Sequence, residues 1–148
     1  MEHLELDVVV EAPVERVFAA MADWESQGAW MLGTDVRTTG GGGVVVGATL
    51  EAFTGIGKIG FLDTMVITEW DPPHRVVVEH TGRVVRGSGV MEVVALPGNR
   101  SRFIWREQLE LPLGAAGRLG WRVVRPAFAL GVQRSLDTFG RMIESGDL

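Results

Sequence analysis

The chain changes its hydrophobic period once, and that change limits the folds open to it. Up to Leu111 the apolar residues recur mostly at every second position. Beyond it Trp121, Val124, Phe128, Val132, Leu136, Phe139 and Ile143 recur at helical spacing, one stripe running from Leu119 to Ile143. Strands followed by a single long amphipathic helix pack by laying the helix across the sheet, because neither element buries its apolar face alone. Pro126 interrupts the stripe. A proline inside a helix removes one hydrogen bond and crowds the preceding turn, so a kink or a break into two pieces is expected there.

The opening residues alternate strictly, with Leu4, Leu6, Val8 and Val10 on one face and Glu5, Asp7 and Glu11 near or on the other, as in a half-buried strand. Pro13 then marks a helix start at its first position, followed by Val14, Val17, Phe18 and Met21 at i, i+3, i+4 and i+7. Asp23 is placed to cap a second short helix carrying Trp24 and Trp30 and ending at Gly33. The pattern then predicts strands over 36–39, 44–53, 61–70, 75–81, 84–96 and 100–111, with Gly40 to Gly43 as a flexible loop. Asp71-Pro72-Pro73 ends the long central strand, and Pro97-Gly98-Asn99 is a hairpin turn. Consecutive antiparallel strands are the simplest topology, and a curved sheet around one helix leaves a cavity between them.

With 148 residues, 46% apolar and 22% charged, the chain fits one folded domain over 1–148. A net charge of -5 and acidic first residues argue against a nucleic-acid partner, which needs a basic footprint. The absence of cysteine excludes disulfides, thiol nucleophiles and thiolate metal sites. No signal-peptide pattern opens the chain, and no apolar run approaches the ~20 residues of a membrane span. The expectation is a soluble cytoplasmic protein, monomer or homodimer, with no integral membrane segment.

The last strand carries the sharpest functional clue. Read with period two, Phe103, Trp105, Glu107 and Leu109 share one face, so a carboxylate stands in an apolar row, where it is costly unless paired, protonated or facing a cavity. Asp63 shares a face with Phe61, Met65 and Ile67, while Leu62, Val66 and Trp70 share the other; periodicity leaves open which face points inward. Each carboxylate is either paired with an arginine such as Arg83 or Arg86, or a desolvated acid that anchors a ligand or moves protons. His80 lies in a strand of the expected cavity wall, where an exposed position is the ordinary reading and an acid–base role the alternative. Catalytic candidates are therefore Glu107, Asp63 and His80.

Other motifs carry less. Gly55-Ile56-Gly57-Lys58-Ile59-Gly60 matches the dinucleotide fingerprint, but a strand follows it where a helix is required, so the glycines read as a hairpin or bulge and no nucleotide cofactor is expected. Gly87-Ser88-Gly89 lacks the spacing of a nucleophile elbow, leaving Ser88 as a strand serine. His3, His74 and His80 are scattered, so no metal is expected. Among five tryptophans, Trp24 and Trp30 are placed to cover a pocket mouth and Trp105 and Trp121 to line it; the lack of tyrosine removes a common phenolic proton donor and argues against an enzyme. Arg118, Arg122 and Arg125 form a ridge beside Trp121, read as a solvated helix face or else as a dock for an anionic head or membrane surface.

Four stretches resemble one family. Ala12-Pro13-Val14-Glu15-Arg16-Val17-Phe18 after the first strand, Glu69-Trp70-Asp71-Pro72-Pro73 ending a central strand, Trp105-Arg106-Glu107 in the last strand and Ser135-Leu136-Asp137-Thr138-Phe139 in the terminal helix occur in this order over nearly the whole chain. In these the chain resembles the START-like, SRPBCC or helix-grip superfamily, within it the polyketide cyclase/dehydrase and lipid-transport group of bacterial proteins. The resemblance implies an α+β helix-grip fold: a curved antiparallel sheet of about seven strands wrapped around a long C-terminal helix, with two short helices after the first strand. It also implies a hydrophobic pocket between sheet and helix, whose expected lining is Trp24, Trp30, Met65, Trp105, Glu107, Trp121, Phe128, Val132 and Leu136. Binding or transport of a polyketide or lipid is the expected function; a cyclase or dehydratase using pocket carboxylates is the alternative, since a shared fold does not transfer chemistry.

Overall fold

The computed structural model describes residues 1–148. Seven strands form one antiparallel sheet: β1 (Glu2–Val10), β2 (Thr34–Gly40), β3 (Thr49–Ile56), β4 (Ile59–Asp71), β5 (Arg75–Thr81), β6 (Arg86–Leu96) and β7 (Arg100–Glu110). The spatial order β1-β7-β6-β5-β4-β3-β2 makes a meander from β2 to β7 whose last strand returns beside β1. Helix α1 (Val14–Met21) and a 3-10 turn (Trp24–Ala29) connect β1 to β2, and helix α2 (Gly114–Ser145) crosses the concave face. This is the helix-grip arrangement. No helix is long and apolar enough to cross a membrane.

The elements follow local chemistry. Pro13 is extended (φ -70°, ψ 158°) and stands just before α1, one position earlier than the helical start expected of it. Val17, Phe18 and Met21 form the buried face of α1, and Phe18 packs edge-on against Trp70 at 5.4 Å. At the hairpin after β6, Asn99 takes a left-handed φ of 59° beside Gly98 at 80°, as a tight turn requires. The core joins Val10, Phe103, Leu136, Phe139 and Ile143, all fully buried.

Four expectations need correction. The segment 44–53 is not one strand: Gly41 to Gly43 and Gly47 all have positive φ, so the glycine-bracketed Val44–Val46 turns outward and exposed, and β3 starts at Thr49. The glycine run itself is a 3-10 turn tied down by the Trp24 indole, which donates to the Gly43 carbonyl at 2.7 Å. The strand read from residue 84 begins at Arg86, leaving Val84 exposed. Finally, of the kink or break expected at Pro126 the break does not occur: Gly114–Ser145 is one helix that continues through it. Proline withdraws one donor, and the Arg122 carbonyl it leaves free belongs to an exposed residue within reach of water.

A bulge in β4 settles which of its faces is inner. Ile67 stands opposite Val78 and Glu69 opposite Val77, so Thr68 is the extra residue. Before the bulge Phe61, Asp63, Met65 and Ile67 point inward; after it Trp70, opposite Val76, does so too. The assignment of Trp70 to the face of Leu62 and Val66 therefore fails at the bulge.

Candidate functional site

Between the sheet and the first half of α2 lies a cavity of about 590 Å³, within the range of small-molecule sites. The helix contributes Trp121, Val124, Phe128 and Val132, and the sheet Leu50, Ala52, Met65, Val78 and Met91. Trp24 closes one side, and Trp105 stands next to Glu107. Two residues expected in the lining lie elsewhere. Trp30 is a core residue, its ring 4.7 Å from that of Phe139 and tilted against it, and Leu136 is fully buried one turn further into the core. Both follow the apolar pattern of the wall, and only the bulk of the side chains facing them decides that they are packed over. The Trp30 and Trp121 indole nitrogens are buried without hydrogen-bond partners.

One polar cluster interrupts this wall. His80, buried on β5, stands between two carboxylates: Nδ1 lies 2.9 Å from Asp63 Oδ2 on β4, and Nε2 lies 2.9 Å from Glu107 Oε2 on β7. The Trp105 indole donates to the other Glu107 oxygen, Oε1, at 2.9 Å. All three ionisable residues border the cavity. Burial alone would lower the His80 pKa, but the hydrogen bonds and negative charges of Asp63 and Glu107 outweigh it and raise the value to about 10. At neutral pH the ring is an imidazolium.

The strand order shows how this contact is possible. β5 and β7 both pair with β6, so His80 and Glu107 belong to strands two places apart, roughly 10 Å by the usual strand spacing. A side chain on β6 would stand between them. Opposite Glu107 the residue on β6 is Gly89, and opposite His80 it is Gly87. A Cβ on Gly89 would lie 3.0 Å from Glu107 Oε1 and 3.3 Å from Oε2, so the missing side chain is the space the carboxylate occupies.

Both arginine readings are corrected here: neither Arg83 nor Arg86 pairs with Asp63 or Glu107, whose common partner is His80. The exposed reading of His80 is overturned by its 8% exposure. The three residues therefore form one unit, although the sequence pattern points to each of them singly and does not connect them. A signal for the connection exists in the two glycines around Ser88, since glycine in a strand interior marks close approach of another group. The remaining candidates stay apart. His3 and His74 are exposed, no three His, Asp or Glu side chains are grouped to hold a metal ion, and Gly55 to Gly60 form the β3–β4 hairpin. Arg118, Arg122 and Arg125 are exposed along α2 and do not border the cavity.

Geometry allows the cluster two uses. With both ring nitrogens engaged and the ring charged, His80 is a fixed positive centre rather than a base, and any proton acceptor must be a carboxylate. With its buried ionisable side chains joined in one cluster, the cavity can also orient a ligand by one end.

Comparison with known proteins agrees with the architecture. Residues 1–144 match the family model described as polyketide cyclase / dehydrase and lipid transport. No curated protein matches the sequence. Among solved structures, the protein TTHA0849 of Thermus thermophilus superposes with a TM-score of 0.82 at 14% identity, covering 99% of this chain and 100% of its own. The ZhuI aromatase/cyclase of Streptomyces sp. R1128 gives 0.76 at 15% identity, with 97% and 93% covered. A point mutant of norcoclaurine synthase from Thalictrum flavum, in complex with a transition-state analogue, gives 0.70 at 13% identity, with 99% and 96% covered. At such identities these likenesses show the fold alone. On the family model that spans nearly all of it, this chain belongs to the polyketide cyclase/dehydrase and lipid transport family.

Proposed function

We propose that the protein binds a hydrophobic small molecule of the polyketide or lipid class in the cavity between sheet and α2, its polar end against Asp63, His80 and Glu107. The observation that carries this reading is the cavity itself: about 590 Å³, with mostly apolar lining and one buried ionisable cluster, the usual build of a small-molecule site. Titration with neutral N-phenyl-1-naphthylamine, followed by its own fluorescence and by tryptophan emission, tests it. Saturable binding is expected for the wild type and its loss for Val132→Trp, which fills the space beside the helix. A signal without saturation, or one unchanged in that variant, contradicts the reading. The mass spectrum of molecules extracted from protein purified from its native host then names the ligand.

A second reading, favoured by the buried ionisable cluster on the wall, is cyclisation or dehydration of a polyketide chain. In it a carboxylate of Asp63 or Glu107 takes a proton from carbon next to a ketone, while the His80 imidazolium steadies the negative charge developing on oxygen. Incubation with a poly-β-keto thioester distinguishes the two. Turnover that disappears in both Asp63→Asn and Glu107→Gln supports catalysis, and binding without turnover supports a carrier.

A further inference from the structure

We propose that the ligand's polar end is a cation, so that the cavity takes a hydrophobic molecule bearing a protonated amine, seated against the Asp63–His80–Glu107 cluster. This rests on the reading of the cavity as a ligand site, and it follows from counting protons. Each of the two N···O contacts of His80 needs one proton between its atoms. Two protons shared among one imidazole and two carboxylates give a total charge of -1, wherever along the two contacts they sit. The other charged groups bordering the cavity are Arg86 and Glu110, which face each other across the β6–β7 register and cancel. No arginine or lysine forms an ion pair with Asp63 or Glu107. The cavity wall thus carries one uncompensated negative charge in a mostly apolar setting.

That charge discriminates between ligands. Water can solvate it, but a ligand filling the cavity displaces that water, and a neutral apolar end would leave the charge without a partner. A carboxylate end would add repulsion. An ammonium end supplies both the missing charge and N–H donors, and acceptor capacity is free to meet it: Glu107 Oε1 accepts only the Trp105 indole and Oε2 only His80, while each oxygen has two lone pairs.

Three probes of equal chain length test the inference by competition against N-phenyl-1-naphthylamine at pH 7: decylamine, 1-decanol and decanoate. The expected order is amine first, by about tenfold or more over the alcohol as charge-assisted hydrogen bonds provide, and decanoate last. In Glu107→Gln, and independently in Asp63→Asn, the advantage of amine over alcohol should fall to about threefold or less, because with His80 kept as an imidazolium donating to the amide oxygen, as its NMR titration verifies, either substitution removes the uncompensated charge. Circular dichroism verifies that the variants are folded. Alcohol or decanoate binding as tightly as the amine overturns the inference and leaves the ligand cavity standing. An amine advantage that persists in both variants also overturns it, assigning the preference to the acidic protein surface. Failure of all three probes and of the fluorophore removes the cavity reading and the inference together.

Discussion

The two halves of α2 carry the same kind of apolar stripe and end in opposite surroundings. In the C-terminal half, Leu136, Phe139 and Ile143 are fully buried, with the Phe139 ring 5.1 Å from Phe103 and 4.7 Å from Trp30. That half is also tied down: Arg16 donates to the Ile143 carbonyl at 2.5 Å, the Glu11 backbone N–H to Glu144 at 2.9 Å, and Gln133 to the Asp7 carbonyl at 2.9 Å. In the N-terminal half, Phe128 is 43% and Val124 52% exposed, and Arg125 to the His3 carbonyl, at 3.4 Å, is the one side-chain hydrogen bond to the sheet. The helix does not make the difference. Facing the filled end the sheet offers Phe103, with Trp30 packed alongside, whereas the wall of the open end has the small Ala52 and Gly89 among Leu50, Met65 and Met91. Whether a helical stripe completes a core or walls a cavity is set by the bulk of the strands opposite.

The largest effect should separate the two ends directly. Phe139→Ala opens a void in the packed end and should cost about 3–5 kcal/mol in urea denaturation. Phe128→Ala, at the open end, should cost less than about 1 kcal/mol. Equal costs would break the comparison, since they would mean that the open end is packed in solution.

A comparable loss should come from the cluster that the open end exposes. His80→Gln leaves the two carboxylates that flank the ring without their cation, and removing one partner of a buried ionic group costs about 3–5 kcal/mol. The pH dependence sharpens this. The folded-state pKa of His80, about 10, lies above the ordinary 6.5, so its stabilisation is fully present below pH 6.5 and is lost as pH rises towards 10. Wild-type melting temperature should therefore fall across that window, and the contribution of this residue to the fall should vanish in His80→Gln.

Smaller effects probe how the cluster is held. Glu107→Gln keeps shape and some hydrogen bonding but loses a charged partner, so a loss of about 1–3 kcal/mol is expected. An unpaired buried carboxylate would instead give a gain. Smallest of all is Gly89→Ala, whose methyl group would press on the Glu107 carboxylate at 3.0 Å. Stability should move by no more than about 1 kcal/mol. The His80 pKa, followed by NMR titration, should nevertheless drop as the carboxylate is pushed away. An unchanged titration would show that the glycine gap does not govern the contact.

Much of this arrangement is legible in the sequence, because periodicity records which face of an element is apolar. The alternation of β7 places Glu107 among Phe103, Trp105 and Leu109, and the helical spacing after Leu119 places Trp121, Phe128 and Phe139 on one stripe. Periodicity does not record distance across strands. The pairing of His80 with Glu107 depends on strand order and on the gap at Gly89, and neither is a property of a single segment. Nor does it record register faults, so strict alternation assigns Trp70 to the outer face although the bulge at Thr68 turns it inward. The boundary between filled and hollow is hidden for a related reason: Leu136 and Val132 are one turn apart, equally apolar, and differ only in what faces them.

The central claim is that the open end of the sheet and helix is a ligand site and the other end is not. Intermolecular NOEs between bound N-phenyl-1-naphthylamine and the aromatic and methyl protons of the protein test it in one experiment. The account predicts contacts to Trp121, Phe128, Met65 and the His80 ring, with none to Phe139 or Ile143. Contacts confined to Leu119 and Val123, which are exposed on α2 outside the cavity wall, or the absence of any saturable contact, would contradict it.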